Sequence, residues 1–588
     1  MKISRNLGRL HPLTLRKRLQ PLSLRAVFGE AISNSAVRLL HSLRSSFAMT
    51  AKKGVITFPL MLAILAAAAV LKAWLVGMDL VPFNADEAVV ALMARHILAG
   101  ERPVFFYGQA YMGSLDAFLV AGGFLIWGQH VWVIRLIQGL LYLATIITTV
   151  LIGRAAFSSL KTGLLAACLL AIPAINVTLY TTASLGGYGE ALLIGNLIIL
   201  AGHSLARSLS KGENKDKYLA LELGFLVGLG LWANGLTLVY SIPVGLVVLL
   251  TFFQHRKLAG ARGMVLNGGG LALGFLSGSS PWWVFALSSG WSSLFTELFG
   301  SAVSVEQVTF WERLGAHLVN LVLLGGTVLF GLRPPWEVRW LAVPLLPLAL
   351  IFWLGASGFV VQNMLRNKNQ RFIYWMLGGV GIVLGLGFLF TSFGVDPSGR
   401  YFLPLCVPLA LAAAEMVQYF FRKIHWQLLT FAIVLIFNLW GTLQSAVYPP
   451  GITTQFYAPS AIDHRYDADL LAFLDQAGEH FGYSNYWVAY PLAFNSGEQT
   501  IFIPRLPYHL DLRYTTRDDR YPPYDRLVNS SQQVAYITTR NPALDVWLRN
   551  GFSDAGVTWS EKTIGDYQVF YHLSRPVRPE QIGLGGDH

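Results

Sequence analysis

Residues 84–116 decide the fold class, and they read Asn84-Ala-Asp-Glu-Ala-Val-Val-Ala-Leu-Met-Ala-Arg-His-Ile-Leu-Ala-Gly100, then from 107 Tyr107-Gly-Gln-Ala-Tyr-Met-Gly-Ser-Leu-Asp116. Asn84 is a favourable N-cap, Glu87 stands in the capping-box position, and Gly100 can end the helix. The apolar residues recur on one face, with Arg95 on the opposite one. Because the helix is too short to cross a bilayer, we expect it to lie on the membrane surface, with Asp86 in its first turn.

The composition indicates a membrane protein. Of the 588 residues, 54% are hydrophobic and only 13% are charged, well below the charged fraction of soluble domains. The cysteines, Cys168 and Cys406, lie in apolar runs, so neither a disulfide framework nor a zinc site is predicted. The net charge of +12 comes largely from short basic loops between apolar runs, which indicates membrane topology rather than nucleic-acid binding.

Eleven spans are predicted within a membrane region of residues 56–447. They are 56–77, 131–153, 163–180, 187–206, 218–233, 237–254, 264–286, 340–362, 371–393, 401–421 and 426–447. A further apolar run at 315–332 is predicted to be re-entrant or interfacial, because one crossing there would put the basic loops after 362 and 421 on the wrong side. Thirteen spans is the alternative count.

The two ends of the chain are expected on opposite sides of the plasma membrane. Residues 1–55 are a basic arm, predicted to be cytoplasmic, although a targeting peptide or a start at Met49 would also explain them. Residues 448–588 are predicted to form an extracytoplasmic α/β domain, with a helix at 467–480 and strands at 487–494, 499–503, 534–538 and 567–572. The expected fold class is an all-α polytopic membrane protein carrying this C-terminal α/β domain.

Ionisable residues are few at the predicted outer boundary of the membrane. Asp86 and Glu87 open the surface helix, Asp116 precedes a short apolar helix, and Glu190 and Arg400 each enter a span. Singly, each has an ordinary explanation, since the helix dipole stabilises a first-turn acid by about 0.3–1 kcal/mol and arginines anchor span ends to lipid. Together they place costly charges at one depth on one side. Such a set suits a reaction on a phosphorylated lipid, in which a carboxylate accepts a proton and an arginine holds the departing phosphate.

The order of these motifs resembles the membrane glycosyltransferases of the GT-C fold, in particular the protein O-mannosyltransferases and the aminoarabinose transferases of lipid A. The resemblance rests on Asp86-Glu87 after the first span, the segment 107–116, Gly-Tyr-Gly-Glu190 and Gly-Arg400-Tyr-Phe-Leu-Pro404, and it covers about residues 55–450. It implies transfer of a sugar from a polyprenyl-phosphate carrier to an acceptor hydroxyl on the outer face, with inversion at the anomeric carbon.

The resemblance also implies roles for individual residues. Asp86 would be the general base, and Glu87 would orient the acceptor or only cap the helix. Glu190 would contact the donor sugar, and Arg400 the carrier phosphate. The aminoarabinose transferases place an acid and a lysine in the loop after the helix, but the loop here has no lysine. The other predicted donor contacts are Asp116, Tyr107, Gln109 and Tyr111, with Arg102 as the only nearby substitute for the lysine.

No cofactor is predicted, since the sequence contains no His-Glu-x-x-His pattern, although a divalent cation around Asp86 and Asp116 stays open. The expected partners are a polyprenyl-phosphate sugar, the membrane, and an acceptor lipid, glycan or protein; nucleic acid is not expected. Two other functions stay open. A transporter or flippase for lipid-linked sugars would carry charged or broken helices at mid-membrane, whereas the charges here lie at one surface. An O-antigen-ligase-like transferase would also use a lipid carrier.

Overall fold

The structure is a computed structural model that describes residues 54–212, 216–299, 309–367, 370–396 and 398–585. The chain divides into two units between Ala63 and Ile64. Residues 1–53 of the predicted basic arm lie outside the described residues. The residues that form the candidate site all belong to the second unit.

Helices make up most of the chain before residue 448. The first ten are α1 (Gly54–Gly77), α2 (Ala85–Ala99), α3 (Leu115–Trp127), α4 (Val131–Phe157), α5 (Leu160–Ala171), α6 (Ile175–Tyr180), α7 (Tyr188–Lys211), α8 (Asp216–Ala233), α9 (Leu238–Gly278, interrupted by non-helical backbone at His255 and Gly260) and α10 (Ser280–Ser289). The next are α11 (Trp291–Phe299), α12 (Phe310–Val319), α13 (Gly326–Leu329), α14 (Leu346–Arg366), α15 (Arg371–Phe390), α16 (Cys406–Phe420) and α17 (Ile424–Val447). Between α2 and α3, strands β1 (Phe105–Phe106) and β2 (Gln109–Gly113) pair antiparallel.

The polytopic all-α prediction is confirmed. Within the described residues, eight helices are long and apolar enough to cross a membrane, or nine if one bent pair is a single span. The eight are Phe58–Gly77, Val131–Phe157, Tyr188–Lys211, Gly235–His255, Val343–Arg366, Arg371–Phe390, Arg400–Phe420 and Ile424–Val447. Each of them coincides with a predicted span.

Three predicted spans have a different form. The run 163–180 is broken into α5 and α6 around Pro173, which cannot donate a backbone hydrogen bond. The run 264–286 is bent by 61° between Gly263–Gly278 and Ser280–Ser289. The run 218–233 lies within α8, whose 18 residues include three charged side chains, those of Asp216, Lys217 and Glu222. The count of eleven spans therefore stays a prediction.

The segment 315–332 forms an irregular helix in which a π-helical turn, Asn320–Gly325, separates α12 from α13. At its start, the Asn320 side chain donates to the carbonyl of Gly394, just beyond the end of α15 (2.9 Å). Shortly after its end, the Ala342 N–H donates to Gln444 near the end of α17 (2.7 Å). These two contacts join the segment and the loop after it to the C-terminal ends of α15 and α17, and its re-entrant or interfacial form stays a prediction.

Helix α2 is capped as predicted but is not exposed on a surface. The Asn84 side chain accepts from the Glu87 N–H (3.0 Å), and Gly100 ends the helix with a φ of 114°. Most of its residues are buried, because α3 packs along one side and a helix of the C-terminal domain along another. The α2 helix is therefore a layer between the membrane helices and the C-terminal domain.

The C-terminal α/β prediction is confirmed. Its elements are α18 (Asp467–Ala477), β3 (Phe481–Ser484), α19 (Tyr486–Asn495), β4 (Ile501–Pro504), α20 (Pro523–Ser530), β5 (Ala535–Thr539), α21 (Pro542–Asp554), β6 (Ser560–Ile564) and β7 (Tyr567–Tyr571). The sheet order is β4-β3-β5-β7-β6, parallel from β4 to β5 and antiparallel from β5 to β6.

The predicted strand at 487–494 is wrong, because this segment is helix α19. The Asn485 side chain accepts from the Trp487 N–H (3.0 Å) and starts the helix. All but one of its residues from Tyr486 to Phe494 are buried, so no polar face marks a helical period in the sequence.

One hydrophobic core joins α2 and α3 to the C-terminal domain. It contains Val90 and Phe124 together with Tyr490, Phe494 and Tyr536. Phe494 stacks near Phe124, with ring centroids 6.1 Å apart. Burying each such side chain stabilises the contact by about 1.5–3 kcal/mol. The domain is therefore packed on the segment between α1 and α4 and can contribute side chains to a site there.

Candidate active site

Asp86 lies in the first turn of α2, where the membrane region meets the C-terminal domain. The hydroxyl of Tyr486, the first residue of α19, donates to Asp86 Oδ1. Asp86 Oδ2 has no hydrogen-bond partner among the described residues, and the side chain is half-buried. The Tyr486 hydroxyl thus orients the carboxylate and leaves one oxygen available to accept a proton.

Arg520, also from the C-terminal domain, reaches the same place. Its Nη1 donates to the carbonyl of Gly108 (3.2 Å). With the Gln109 amide turned so that its oxygen faces the guanidinium, that oxygen accepts from both terminal nitrogens of Arg520 (2.6 and 2.9 Å) and the amide nitrogen donates to the Tyr111 hydroxyl (3.1 Å). The reverse orientation would point the amide N–H groups at the guanidinium, so that donors would face donors.

Arg400 begins the helical segment that continues into α16. It forms an ion pair with Asp396 (Nη2 to Oδ2, 2.5 Å), and its guanidinium lies 5.1 Å from the centre of the Tyr401 ring. The Arg400 side chain is 32% exposed. One acid is therefore already beside this cation, and part of the guanidinium remains open to a ligand.

The phenol of Tyr111 is the common neighbour of these groups. It lies within electrostatic range of Arg400, Arg520 and Asp86. Burial raises the pKa of Tyr111, so the hydroxyl stays protonated and can donate a hydrogen bond. Of the predicted site residues, the structure thus brings together Asp86, Gln109, Tyr111 and Arg400. We call these four residues, together with Tyr486 and Arg520, the outer pocket.

A second acid, Asp518, lies beside the outer pocket. Burial raises the pKa of Asp518 to about 7, against the opposing charge of Arg520. The carboxyl of Asp518 is therefore partly protonated at neutral pH, and it does not fully neutralise Arg520.

Glu87 faces away from the outer pocket. Its side chain is fully buried and forms a bidentate ion pair with Arg135 of α4, with Nε to Oε1 at 3.2 Å and Nη2 to Oε2 at 3.1 Å. The predicted capping box is therefore not formed by this side chain. An acid held in this way can position α2, but it is not placed to touch an acceptor.

Asp116 and Glu190 form a buried acid pair near Glu87. Asp116 accepts from the Gln138 amide (2.9 Å) and from the hydroxyl of Ser184. Burial raises the pKa of Asp116, against the hydrogen bonds from Ser184 and Gln138 that lower it. These two predicted residues therefore lie in an internal polar network that supports the pocket.

Tyr107 and Arg102 contribute to the contact between the domains. The Tyr107 hydroxyl donates to Glu101 (2.7 Å), and its ring stacks on Tyr521 of the C-terminal domain with centroids 4.8 Å apart. Arg102 is exposed and donates to the carbonyl of Ile97 at the end of α2 (2.9 Å). The structure gives neither side chain a place in the outer pocket, so Arg102 does not replace the missing lysine.

Glu498 lies at the same contact between the domains. We call Glu498 and its partners His96, Arg95 and Tyr524 the clasp. Glu498 Oε1 accepts from Tyr524 (2.7 Å) and lies 2.9 Å from His96 Nε2. Glu498 Oε2 pairs with Arg95 (3.4 Å). Arg95, predicted to lie on the face of α2 opposite the apolar one, thus contacts the C-terminal domain. Burial alone would raise the pKa of Glu498, but the bonds from His96 and Tyr524 and the charge of Arg95 lower it to about 2.

No group of three or more His, Cys, Asp or Glu side chains that could hold a metal ion occurs among the described residues. Asp86 and Asp116 have separate partners, Tyr486 for the first and Gln138 with Ser184 for the second.

Sequence reasoning missed the two residues that the C-terminal domain supplies to the outer pocket. Tyr486 and Arg520 lie about 400 residues beyond Asp86, and no local pattern marks them. Arg135 did carry a signal, because an arginine at the start of an apolar span needs an acidic partner.

The comparisons with known proteins concern the fold. No family model matches the sequence, and no curated protein matches it. The crystal structure of ArnT from Cupriavidus metallidurans bound to undecaprenyl phosphate is similar, with 13% identity, a TM-score of 0.53, and coverage of 87% of this chain and 97% of that one. The same protein in the apo state gives 13% identity and a TM-score of 0.54 with the same coverage. An Archaeoglobus fulgidus oligosaccharyltransferase in the apo form gives 10% identity, a TM-score of 0.47, and coverage of 82% and 69%.

The likeness to ArnT covers 87% of this chain, which is more than the membrane region of residues 56–447 contains, so it includes part of the C-terminal domain. The sequence motifs and the structural likeness agree on one fold class. The chain is a multi-pass membrane protein with the GT-C fold.

Proposed function

We propose that this protein is a glycosyltransferase that moves a sugar from a polyprenyl-phosphate carrier to an acceptor hydroxyl at the outer face of the membrane. The observation that carries the proposal is Asp86, a half-buried carboxylate with one free oxygen in a pocket that also contains two arginines. The fold supports it, because a protein of this fold has been crystallised with undecaprenyl phosphate.

The chemical step needs one base and one site for the leaving group. The acceptor oxygen forms a bond to the anomeric carbon while the bond from that carbon to the phosphate oxygen breaks. The acceptor proton passes to the free oxygen of Asp86, and the electron pair of the broken bond stays on the carrier phosphate. Attack opposite the leaving group inverts the anomeric carbon. A positioned base typically contributes about 10²–10⁴-fold to such a rate.

The leaving phosphate fits Arg400 best among the predicted residues. Arg400 stands at the start of a candidate span, where a lipid phosphate would lie, and part of its guanidinium is exposed. A planar guanidinium can donate two parallel hydrogen bonds to phosphate oxygens. The carrier chain would extend along the apolar helices, and the acceptor would approach from the side of the C-terminal domain.

This function requires the outer pocket and the C-terminal domain to be extracytoplasmic and residues 1–55 to be cytoplasmic. The basic loops support this orientation. The buried acids Asp116 and Glu190 are assigned a supporting role behind the donor site, since they lie in the internal network with Glu87.

The experiment that tests the proposal uses the purified protein in nanodiscs. It is incubated with several polyprenyl-phosphate sugars and with acceptor lipids, glycans or peptides, and carrier phosphate release is followed by mass spectrometry. We expect release to require both a sugar-loaded carrier and an acceptor. Release of no sugar from any carrier, while carriers are moved between leaflets of a vesicle, would support a flippase instead.

A further inference from the structure

Arg520 is a buried cation that the C-terminal domain extends into the outer pocket. Its residue is only 8% exposed. Its backbone N–H donates to the Tyr490 hydroxyl (2.5 Å), and that hydroxyl donates to the carbonyl of Asp518 (3.2 Å). The core of the domain thus fixes the turn from which the Arg520 side chain leaves.

The loop of the membrane region is shaped to receive this side chain. Gly108 has a φ of 69°, and a Cβ atom there would lie 2.7 Å from Arg520 Cδ. Only a glycine therefore lets the arginine pass over the loop to Gln109. The guanidinium also lies over the Tyr486 ring, 5.3 Å from its centre.

All direct partners of the Arg520 guanidinium are neutral. They are a backbone carbonyl, an amide oxygen and an aromatic ring, and Nε has no hydrogen-bond partner among the described residues. Asp86 and Asp518 are within electrostatic range, but within the described part of the chain neither forms an ion pair with it. By contrast, Arg505 in the same domain pairs with Asp519 (3.0 Å) and Asp525 (2.7 Å).

A buried guanidinium without a contacting acid is costly, so its presence calls for an anion. Arg400 and Arg520 approach the same phenol, Tyr111, from different parts of the chain. An anion beside Tyr111 would therefore meet two cations and one hydroxyl donor, although Arg400 is already paired with Asp396 and Asp86 lies within the same range. A phosphate has several oxygens and can accept from two planar guanidinium groups at once.

We propose that Arg520 and Arg400 together bind the phosphate of the lipid-linked donor, so that the C-terminal domain completes the donor site. This inference rests on the proposed function, because it takes the donor to be a polyprenyl phosphate. It also accounts for the loop that lacks a lysine, since the second cation comes from a distant segment instead.

The test compares the binding of undecaprenyl phosphate with that of undecaprenol, which lacks the phosphate. The full-length protein is placed in phosphatidylcholine nanodiscs, and both affinities are measured by quenching of tryptophan fluorescence. The variants are Arg520→Gln and Arg520→Lys. The control is Arg513→Gln, which removes the same charge from an arginine of the same domain that is 66% exposed and paired with Asp511.

We expect Arg520→Gln to weaken undecaprenyl phosphate binding by about 10- to 100-fold and to leave undecaprenol binding unchanged. Arg520→Lys should recover part of this loss, because an ammonium keeps the charge but lacks the two parallel donors of the planar guanidinium. Arg513→Gln should bind both lipids as the wild type does. If Arg520→Gln does not fold, the selective loss in Arg520→Lys decides the matter.

Several results would overturn the inference. One is equal phosphate affinity in the wild type and both Arg520 variants, and another is an equal loss for undecaprenol and its phosphate. Competition by phosphatidylglycerol or inorganic phosphate as strong as that by undecaprenyl phosphate would show a general anion site instead. If the wild type transfers sugar while Arg520→Gln binds the carrier phosphate normally, this inference alone fails. If phosphate binding depends on Arg520 but no sugar is transferred, the proposed function fails and the phosphate site stands.

Discussion

Asp86 and Glu87 are adjacent acids with opposite environments. Asp86 is half-buried beside Tyr486, whereas Glu87 is fully buried against Arg135. One helical residue is a rotation of about 100°, which is enough to turn one carboxylate to the pocket and the next to the core. The two acids therefore have different predicted roles, one in catalysis and one in holding α2 against α4.

Replacing Glu87 by Gln should destabilise the protein. Removing Glu87 leaves the buried Arg135 with only the exposed carboxylate of Asp79 at 3.9 Å, and breaking a buried ion pair typically costs about 3–5 kcal/mol. We expect the unfolding temperature in detergent to fall by several degrees, with transfer by the remaining folded protein largely retained. An unfolding temperature equal to that of the wild type, combined with lost transfer, would instead assign Glu87 to the reaction.

Replacing Arg400 by Ala should weaken binding of the carrier phosphate. The matched control is Arg339→Ala, since Arg339 has one acidic partner, Glu337 at 2.7 Å, and is 29% exposed against 32% for Arg400. We expect about 10- to 100-fold weaker binding of undecaprenyl phosphate for the first variant and little change for the second. Equal losses in both would make Arg400 a lipid anchor rather than a phosphate ligand.

At the residue scale, the sequence allowed prediction of the groups that lie close together in the chain. Asp86, Gln109 and Tyr111 share one short segment, and Arg400 follows from a motif at the start of a span. Arg520 and Tyr486 could not be predicted, because their approach depends on how a separate domain packs. Tyr107 is in the right segment but points to Tyr521, a contact that only tertiary packing determines.

At the scale of elements, α2 and α19 form the centre of the contact between the domains. The clasp closes this contact through Glu498 with His96, Arg95 and Tyr524. The apolar face of α2, with Arg95 opposite, favoured a membrane surface, whereas α19 is buried almost all round and its pattern favoured a strand. In both cases the cover is another part of the same chain, which a local period cannot reveal.

Because of the clasp, the contact between the C-terminal domain and α2 should become weaker as the pH is lowered. The pKa of Glu498 is about 2 in the folded protein against an ordinary 4.5. Its stabilising contribution is therefore full above about pH 4.5 and is lost as pH falls through about 2. The Glu498 side chain is 22% exposed, so solvent screens part of the interaction. We therefore expect Glu498 to contribute about 1–2 kcal/mol to the free energy of unfolding.

The measurement is the unfolding temperature of wild type and Glu498→Gln between pH 6 and pH 2.5. Other carboxylates also titrate in this range, so the slopes of the two proteins are compared. The wild type should lose stability more steeply on acidification, and the two curves should converge at low pH. Parallel curves would show that Glu498 does not stabilise the contact.

At the scale of the whole molecule, the membrane topology determines whether the site can work. With Cys168 and Cys406 replaced by Ala, single cysteines at Thr391 and Ser553 should react with an impermeant maleimide from outside. A cysteine at Lys423 should react only after permeabilisation; all three positions are exposed. Labelling of Thr391 only from the cytoplasm would place Arg400 on the wrong side and exclude the proposed reaction.

The polytopic fold and the C-terminal α/β domain were predictable because bilayer thickness and strand alternation leave strong patterns. The internal form of some spans was not, since a break such as that at Pro173 depends on neighbouring helices to satisfy the freed backbone groups. The site is likewise only partly predictable from the sequence, because two of its side chains come from a domain some 400 residues away from Asp86.

The most direct measurement of the central claim is the transfer rate of Asp86→Asn. The matched control is Asp467→Asn, since Asp467 is also a first-turn acid that accepts from a tyrosine hydroxyl, that of Tyr567. We predict that Asp86→Asn folds and binds undecaprenyl phosphate like the wild type but transfers sugar at least about 100-fold more slowly. Asp467→Asn should transfer at the wild-type rate. A near wild-type rate in Asp86→Asn would contradict the account and leave Asp86 as a residue that only stabilises the start of α2.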